Sequence, residues 1–120
     1  MILCNGTEPA PLGGYSLVGV MGRTVTESVP TKIEPLVAAF RLRGAPREEF
    51  QIQVDVFAPD DTPLRGSETL FHRMPPIGVW DSHVTLSPLT FRSFGTYRVV
   101  LKVNLNVIKT TQLNIEQLVH

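Results

Sequence analysis

"FQIQVDVF", residues 50–57, sets Phe50, Ile52, Val54 and Val56 in alternation with Gln51, Gln53 and Asp55. A period of two sends alternate side chains to opposite faces, so the stretch predicts a β-strand with one buried and one wet face. On its carboxyl side the chain reads as a strand that ends abruptly. "APDDTPL" carries Pro59, Asp60, Asp61 and Pro63, a turn whose carboxylates bond nearby backbone amides. The segment on its amino side is similar in kind to the strand itself. "LVAAFRLRG" (36–44) lies between Pro35 and Gly44 and puts Leu36, Ala38, Phe40 and Leu42 opposite Arg41 and Arg43, a half-buried strand. Leu and Ala also suit a short helix there, but the stretch is too short for a typical one.

Further out the same period recurs. "SETLFH" (67–72) is a weaker strand, and the two prolines of "RMPPIGVW" make residues 73–79 a loop or an edge segment. "WDSHVTL" (80–86) turns Trp80, Ser82, Val84 and Leu86 inward and Asp81, His83 and Thr85 outward. "TYRVVLKV" points Tyr97, Val99, Leu101 and Val103 inward, and residues 104–106 make a tight connection to a last strand near 107–116. Near the amino terminus "YSLVGV" (15–20) comes after a Pro/Gly-rich loop and reads as a short strand closed by Gly22. With no long helical period, no repeat and no linker, these segments predict an all-β fold. The expected form is an antiparallel β-sandwich, immunoglobulin-like, of about seven to eight strands, preferred over a barrel. A chain of 120 residues is expected to be a single β-sandwich domain over residues 1–120.

Composition removes several function classes. Hydrophobic residues make up 42% and charged residues 18%, a balance that folds rather than remaining disordered. Eleven basic residues match eleven acidic ones, which leaves no electrostatic footprint for nucleic acid or an anionic membrane and leaves self-association open. Cys4 is the one cysteine, so no internal disulfide forms and a cytoplasmic location is expected. "MILCNGTEPAPLGG" has no basic n-region, and its apolar run is too short for a signal peptide or a spanning helix, so a mature, soluble chain is expected.

Within "LTFRSFGTYRVVLKVN" (89–104), Tyr97 stands two residues after Gly95, at the start of the penultimate strand. This resembles the tyrosine corner of immunoglobulin-like sandwiches, in which the hydroxyl bonds upstream backbone. The strand running from Gly14 to Val20, the "RLRG" ending of 41–44, the alternating strand closed by Pro59 and Asp60, and the final "LTF…GTYR" hairpin extend the likeness over most of the chain. The chain resembles small uncharacterised bacterial domains of immunoglobulin-like β-sandwich architecture. Asp61 and Thr62 stand where such domains carry a turn glycine. The resemblance implies a fold and a family of unknown function, and it carries no catalytic residue. It makes Tyr97 structural. Trp80, whose in-face partners are Val84 and Leu86, is read as core rather than as the lining of a sugar or peptide groove.

No phosphate loop, paired cysteines, Gly-x-Ser-x-Gly elbow or His-Glu-x-x-His is present. The sharpest cluster is Asp81 and His83 on one strand face, where they are placed to chelate a metal if His72 supplies a third ligand. The competing reading pairs this strand with "LVAAFRLRG" and sets Arg41 and Arg43 across from Asp81 and His83 as an exposed charge ladder. Two ligands without a third fall short of a zinc site, so no metal, no cofactor and no catalytic residue are expected. Asp60 and Asp61 read as a turn rather than a calcium site, and Cys4 as a small buried hydrophobe.

One feature suggests a partner. On the outer face of the last hairpin Val100 lies between Arg98 and Lys102, and Ile108 is expected on the same face of the next strand, an apolar stripe beside a free edge. The expected function is a non-enzymatic protein-interaction or assembly module, bound to a protein partner or to a second copy through Val100 and Ile108. The alternatives are a carbohydrate- or peptide-binding sandwich that uses "MPPIGVW", and a metal-dependent enzyme built on His72, Asp81 and His83.

Overall fold

Alternating apolar residues make strands, and the chain obeys that rule almost throughout. A computed structural model describes residues 1–10, 15–65, 69–86 and 88–119. In chain order its strands are β1 (Ile2–Cys4), β2 (Gly6–Pro9), β3 (Tyr15–Val18), β4 (Arg23–Thr26), β5 (Thr31–Lys32), β6 (Val37–Arg43) and β7 (Glu49–Phe57). They continue with β8 (Pro63–Arg65), β9 (Leu70–Arg73), β10 (Val79–Thr85), β11 (Thr90–Phe91), β12 (Gly95–Val103) and β13 (Asn106–Gln117). No helix occurs among the described residues, and so none is long and apolar enough to cross a membrane.

The strands form a three-stranded sheet, β1-β6-β10, and a six-stranded sheet, β4-β13-β12-β7-β8, in which β9 also pairs with β7. Two small ladders, β2 with β3 and β5 with β11, complete the set. The fold is all-β as expected, with two corrections to detail. Thirteen strands are described rather than seven or eight, because segments such as β4, β5 and β11 span only two to four residues, too few for a period to show. The pairing is also not purely antiparallel, since β4 runs parallel to β13, with Asn114 opposite Arg23 and Gln117 opposite Thr26. The parallel pair arises where the chain leaves one sheet for the other. Leu3 lies in the three-stranded sheet and accepts a hydrogen bond from Met21 N (2.9 Å), and two residues later β4 has joined the six-stranded sheet.

The strand over 67–72 is shorter than expected, beginning at Leu70; residues 67 and 68 lie outside the described residues, as does Gly14. β7 alternates as read, with Phe50, Ile52, Val54 and Val56 buried. These join Ala38, Phe40 and Leu42 of β6, Tyr97, Val99 and Leu101 of β12, and Leu113 and Ile115 of β13 in one apolar cluster. Both large sheets therefore bury their inner faces in the same core, each such side chain contributing about 1.5–3 kcal/mol. β6 departs from simple alternation. Val37 and Ala39, on its outer face, are buried with Cys4 in a second cluster, against which Leu17 of β3 packs. Only Arg41 and Arg43 stay exposed on that strand.

Candidate functional site

β6 and β10 pair antiparallel, which brings Arg41 directly opposite Asp81. Arg41 Nε donates to Asp81 Oδ1 at 2.6 Å and Nη2 to Oδ2 at 3.0 Å, a bidentate fork. The hydrogen bonds from Arg41, more than its charge alone, hold the Asp81 carboxyl below the usual carboxylate range. A carboxylate so held is a weak base. The ladder read from sequence is otherwise offset: Arg43 opposes Val79 and His83 opposes Ala39, because the two strands pair with Arg41 and Asp81 in register. Beside the pair lies a groove of about 410 Å³ on the outer face of the three-stranded sheet, lined by Ile2, Leu17, Ala39, Arg41, Asp81 and His83.

His72 is not part of that groove. It sits on β9, opposite Phe50 of β7, and its ring stacks on Trp80 at 3.8 Å with 13° between planes. Trp80 also meets Phe50 edge-on at 5.5 Å and Phe40 at 6.0 Å. Because side chains alternate along β10, Trp80 and its partner His72 lie on the core side while Asp81 and His83 lie on the other. The three candidate ligands are thus divided between two faces. Among the described residues no three His, Cys, Asp or Glu side chains group to hold a metal ion. Trp80 is half-buried in its own aromatic cluster, bridging the two sheets.

Tyr97 is buried, and its hydroxyl donates to Ser93 O at 2.8 Å while Ser93 N donates to the hydroxyl at 3.2 Å. The edge of the Phe91 ring packs against it at 4.9 Å. At Asp60 the turn chemistry is equally local: the carboxylate accepts from Thr62 N at 3.0 Å, and hydrogen bonds from Thr62 keep its pKa below the usual range.

The expected stripe of Val100 and Ile108 is corrected at both positions. Val100 does lie on the outer face, between Asp55 of β7 and Thr110 of β13, but it is only 5% exposed. Long side chains flank it: Lys102 Nζ reaches Asp55 Oδ2 at 3.1 Å, and Arg98 binds Asp61 and lies over the Phe57 ring. Ile108 leaves the face altogether. Leu101 pairs with Lys109 and Lys102 with Val107, so Ile108 is the extra residue of a β-bulge. It lines a small depression with Leu42, Met74 and Val103 instead.

One group of exposed apolar residues lies at one end of the six-stranded sheet. There β7 begins, β9 pairs with it, and the β12–β13 turn closes. Phe71 is 80% exposed, Leu105 67% and Val107 58%; Ile77, in the turn before β10, is 80% exposed. Gln51 joins the two sides. It pairs with Phe71 across the ladder, its backbone N–H donates to Asn104 Oδ1 at 3.1 Å, and its carbonyl accepts from Asn104 N at 2.9 Å. A depression of about 580 Å³ between Phe71 and Asn104 is flanked by the Arg73–Glu49 ion pair. The turn has φ of +50° at Asn104 and +68° at Leu105, the left-handed pair that a two-residue hairpin of this twist needs. Asn tolerates that region; leucine there costs about 1–2 kcal/mol. Hydrophobic alternation carries no sign of this cluster, because its members come from a turn, a loop and two strand ends.

A family model described as "Family of unknown function (DUF6941)" matches residues 1–116, and the chain belongs to that family. No curated protein and no solved structure matches it.

Proposed function

Starting from membership in a family whose description assigns no function, we propose that this chain is a non-enzymatic protein-interaction module on an immunoglobulin-like β-sandwich. Its contact surface is the apolar end carrying Phe71, Leu105 and Val107. Three features support the sandwich reading: two sheets that share one core, a parallel edge strand, β4, on the six-stranded sheet, and Tyr97 bonded to upstream backbone. For the contact surface, Leu105 is the observation that carries the proposal. An exposed leucine in the left-handed region sacrifices stability where glycine relieves it, and such outliers gather at functional positions. Exposed aromatic and aliphatic anchors next to polar amides have the composition of an interface core with its rim.

The test places a photoreactive benzophenone side chain at position 105, with a second variant at Arg92, beyond the opposite end of β12, as control. In cells producing the protein, irradiation gives a discrete adduct from position 105 and none from position 92, and Phe71→Ser abolishes it. Equal labelling at both positions, or an adduct indifferent to Phe71→Ser, overturns the reading.

A further inference from the structure

β13 is longer than the strand that covers its outer edge. β4 pairs with it only over Asn114–Gln117. Asn114 N donates to Gly22 O at 3.0 Å, so at this residue the backbone turns away from β12 and toward the outer edge. Backbone groups in a strand alternate in direction, so Gln112 and Thr110 present their N–H and C=O to the same edge. No described strand lies along that stretch. It is exposed over residues 106–110, rich in β-branched side chains, and continuous with the apolar end through Val107.

We infer that the outer edge of β13 over residues 106–112 receives an extended segment of a different chain by strand addition, with an acidic side chain set against Lys109. The inference rests on the interaction reading above and specifies its geometry. Seven residues span about 23 Å, the length of a strand, with Thr110 and Gln112 supplying outward main-chain groups beyond the bulge. Charge decides the occupant. Lys109 is the one charged residue of the segment, and among the described residues no carboxylate forms an ion pair with it. A second copy in its fullest antiparallel register sets residue 106 against 112 and therefore Lys109 against Lys109, and like charges directly opposite destabilise a ladder. The bulge at Ile108 twists the same edge for any incoming strand, so charge alone separates the two occupants. A foreign strand with a carboxylate at that position replaces the like-charge contact with an attractive one.

The probe is a pair of synthetic peptides, TVTETVT and TVTKTVT, titrated to millimolar concentration into 15N-labelled protein. The glutamate peptide shifts the amide resonances of Thr110 and Gln112 and binds about fivefold tighter than the lysine peptide. Lys109→Glu reverses that order. Thr110→Pro removes a donor that faces the open edge rather than β12, so it abolishes the shifts while the thermal midpoint stays close to that of the unaltered protein. No shift with either peptide overturns the inference. So do shifts that grow with protein concentration alone, which assign the edge to a second copy. A cross-link from position 105 that survives in Thr110→Pro separates the two ideas: the apolar end then stands and the edge falls.

Discussion

The turn that leads into β12 and the turn that leads out of it treat their residues in opposite ways. At the entrance, Ser93 exchanges hydrogen bonds with the Tyr97 hydroxyl, Phe91 is fully buried beneath it, and Gly95 holds φ +134°. A Cβ at Gly95 stands 2.8 Å from Pro59 Cγ, so the chain passes there only because the residue is glycine. At the exit, a leucine takes the conformation suited to glycine and faces solvent. One strand thus joins a turn optimised for the fold to a turn where stability was not the only requirement. The comparison teaches where to look for function: at local choices that packing does not explain.

The largest expected effect separates the two turns directly. Phe91→Ala costs about 3–5 kcal/mol as a cavity in the core, whereas Leu105→Ala stays within about 0.5 kcal/mol. Urea unfolding of both variants checks this, and similar costs at the two sites break the comparison. Next in size, Tyr97→Phe keeps the ring but leaves the Ser93 backbone groups without their partner, a loss of about 1–3 kcal/mol. A smaller effect has the opposite sign. Leu105→Gly creates the favoured Asn-Gly turn and raises stability by about 0.5–1 kcal/mol, while weakening the cross-link expected at that end.

The smallest effect lies away from both turns and serves as a control. Asp81 is held below its ordinary pKa in the folded chain, so the stability it adds is present above the unfolded value near about pH 4 and lost as pH falls through the lower folded value. Thermal midpoints of Asp81→Asn and the unaltered protein therefore converge in acid and separate modestly toward neutral pH. Curves that remain parallel from pH 2 to 7 contradict the role given to the Arg41 fork.

Much of the fold was legible because period two is a direct consequence of strand geometry. β7 and β12 each carry enough residues to display it; the inward set read for β7 is buried, as are Tyr97, Val99 and Leu101 of β12, with Val103 partly so. The register between β6 and β10 was half legible. Opposite charges suggested the pairing, but only the Arg41–Asp81 contact results from it, since a ladder fixes every other partner once one pair is set. Ile108 was not legible at all. A bulge inserts one residue without any compositional mark and exchanges the faces of the residues beyond it, so alternation counted across the β12–β13 turn assigns the wrong side. Val100 failed for a different reason. Alternation assigns a face correctly but says nothing of how far neighbouring side chains close that face, and Val100 is buried between Asp55 and Thr110.

Cys4 carries a consequence for measurement. Its side chain is completely buried between β6 and the β2–β3 hairpin, the thiol lies 3.7 Å from Val37 O, and burial pushes its pKa up against a smaller opposing effect of a Gly6 backbone hydrogen bond. A thiol that must be both exposed and ionised before it reacts is a built-in reporter on opening of the layer formed by the β2–β3 hairpin over β1 and β6. Alkylation at fixed pH, with intact mass taken over time, reads how readily that layer opens, with no label added and no residue changed.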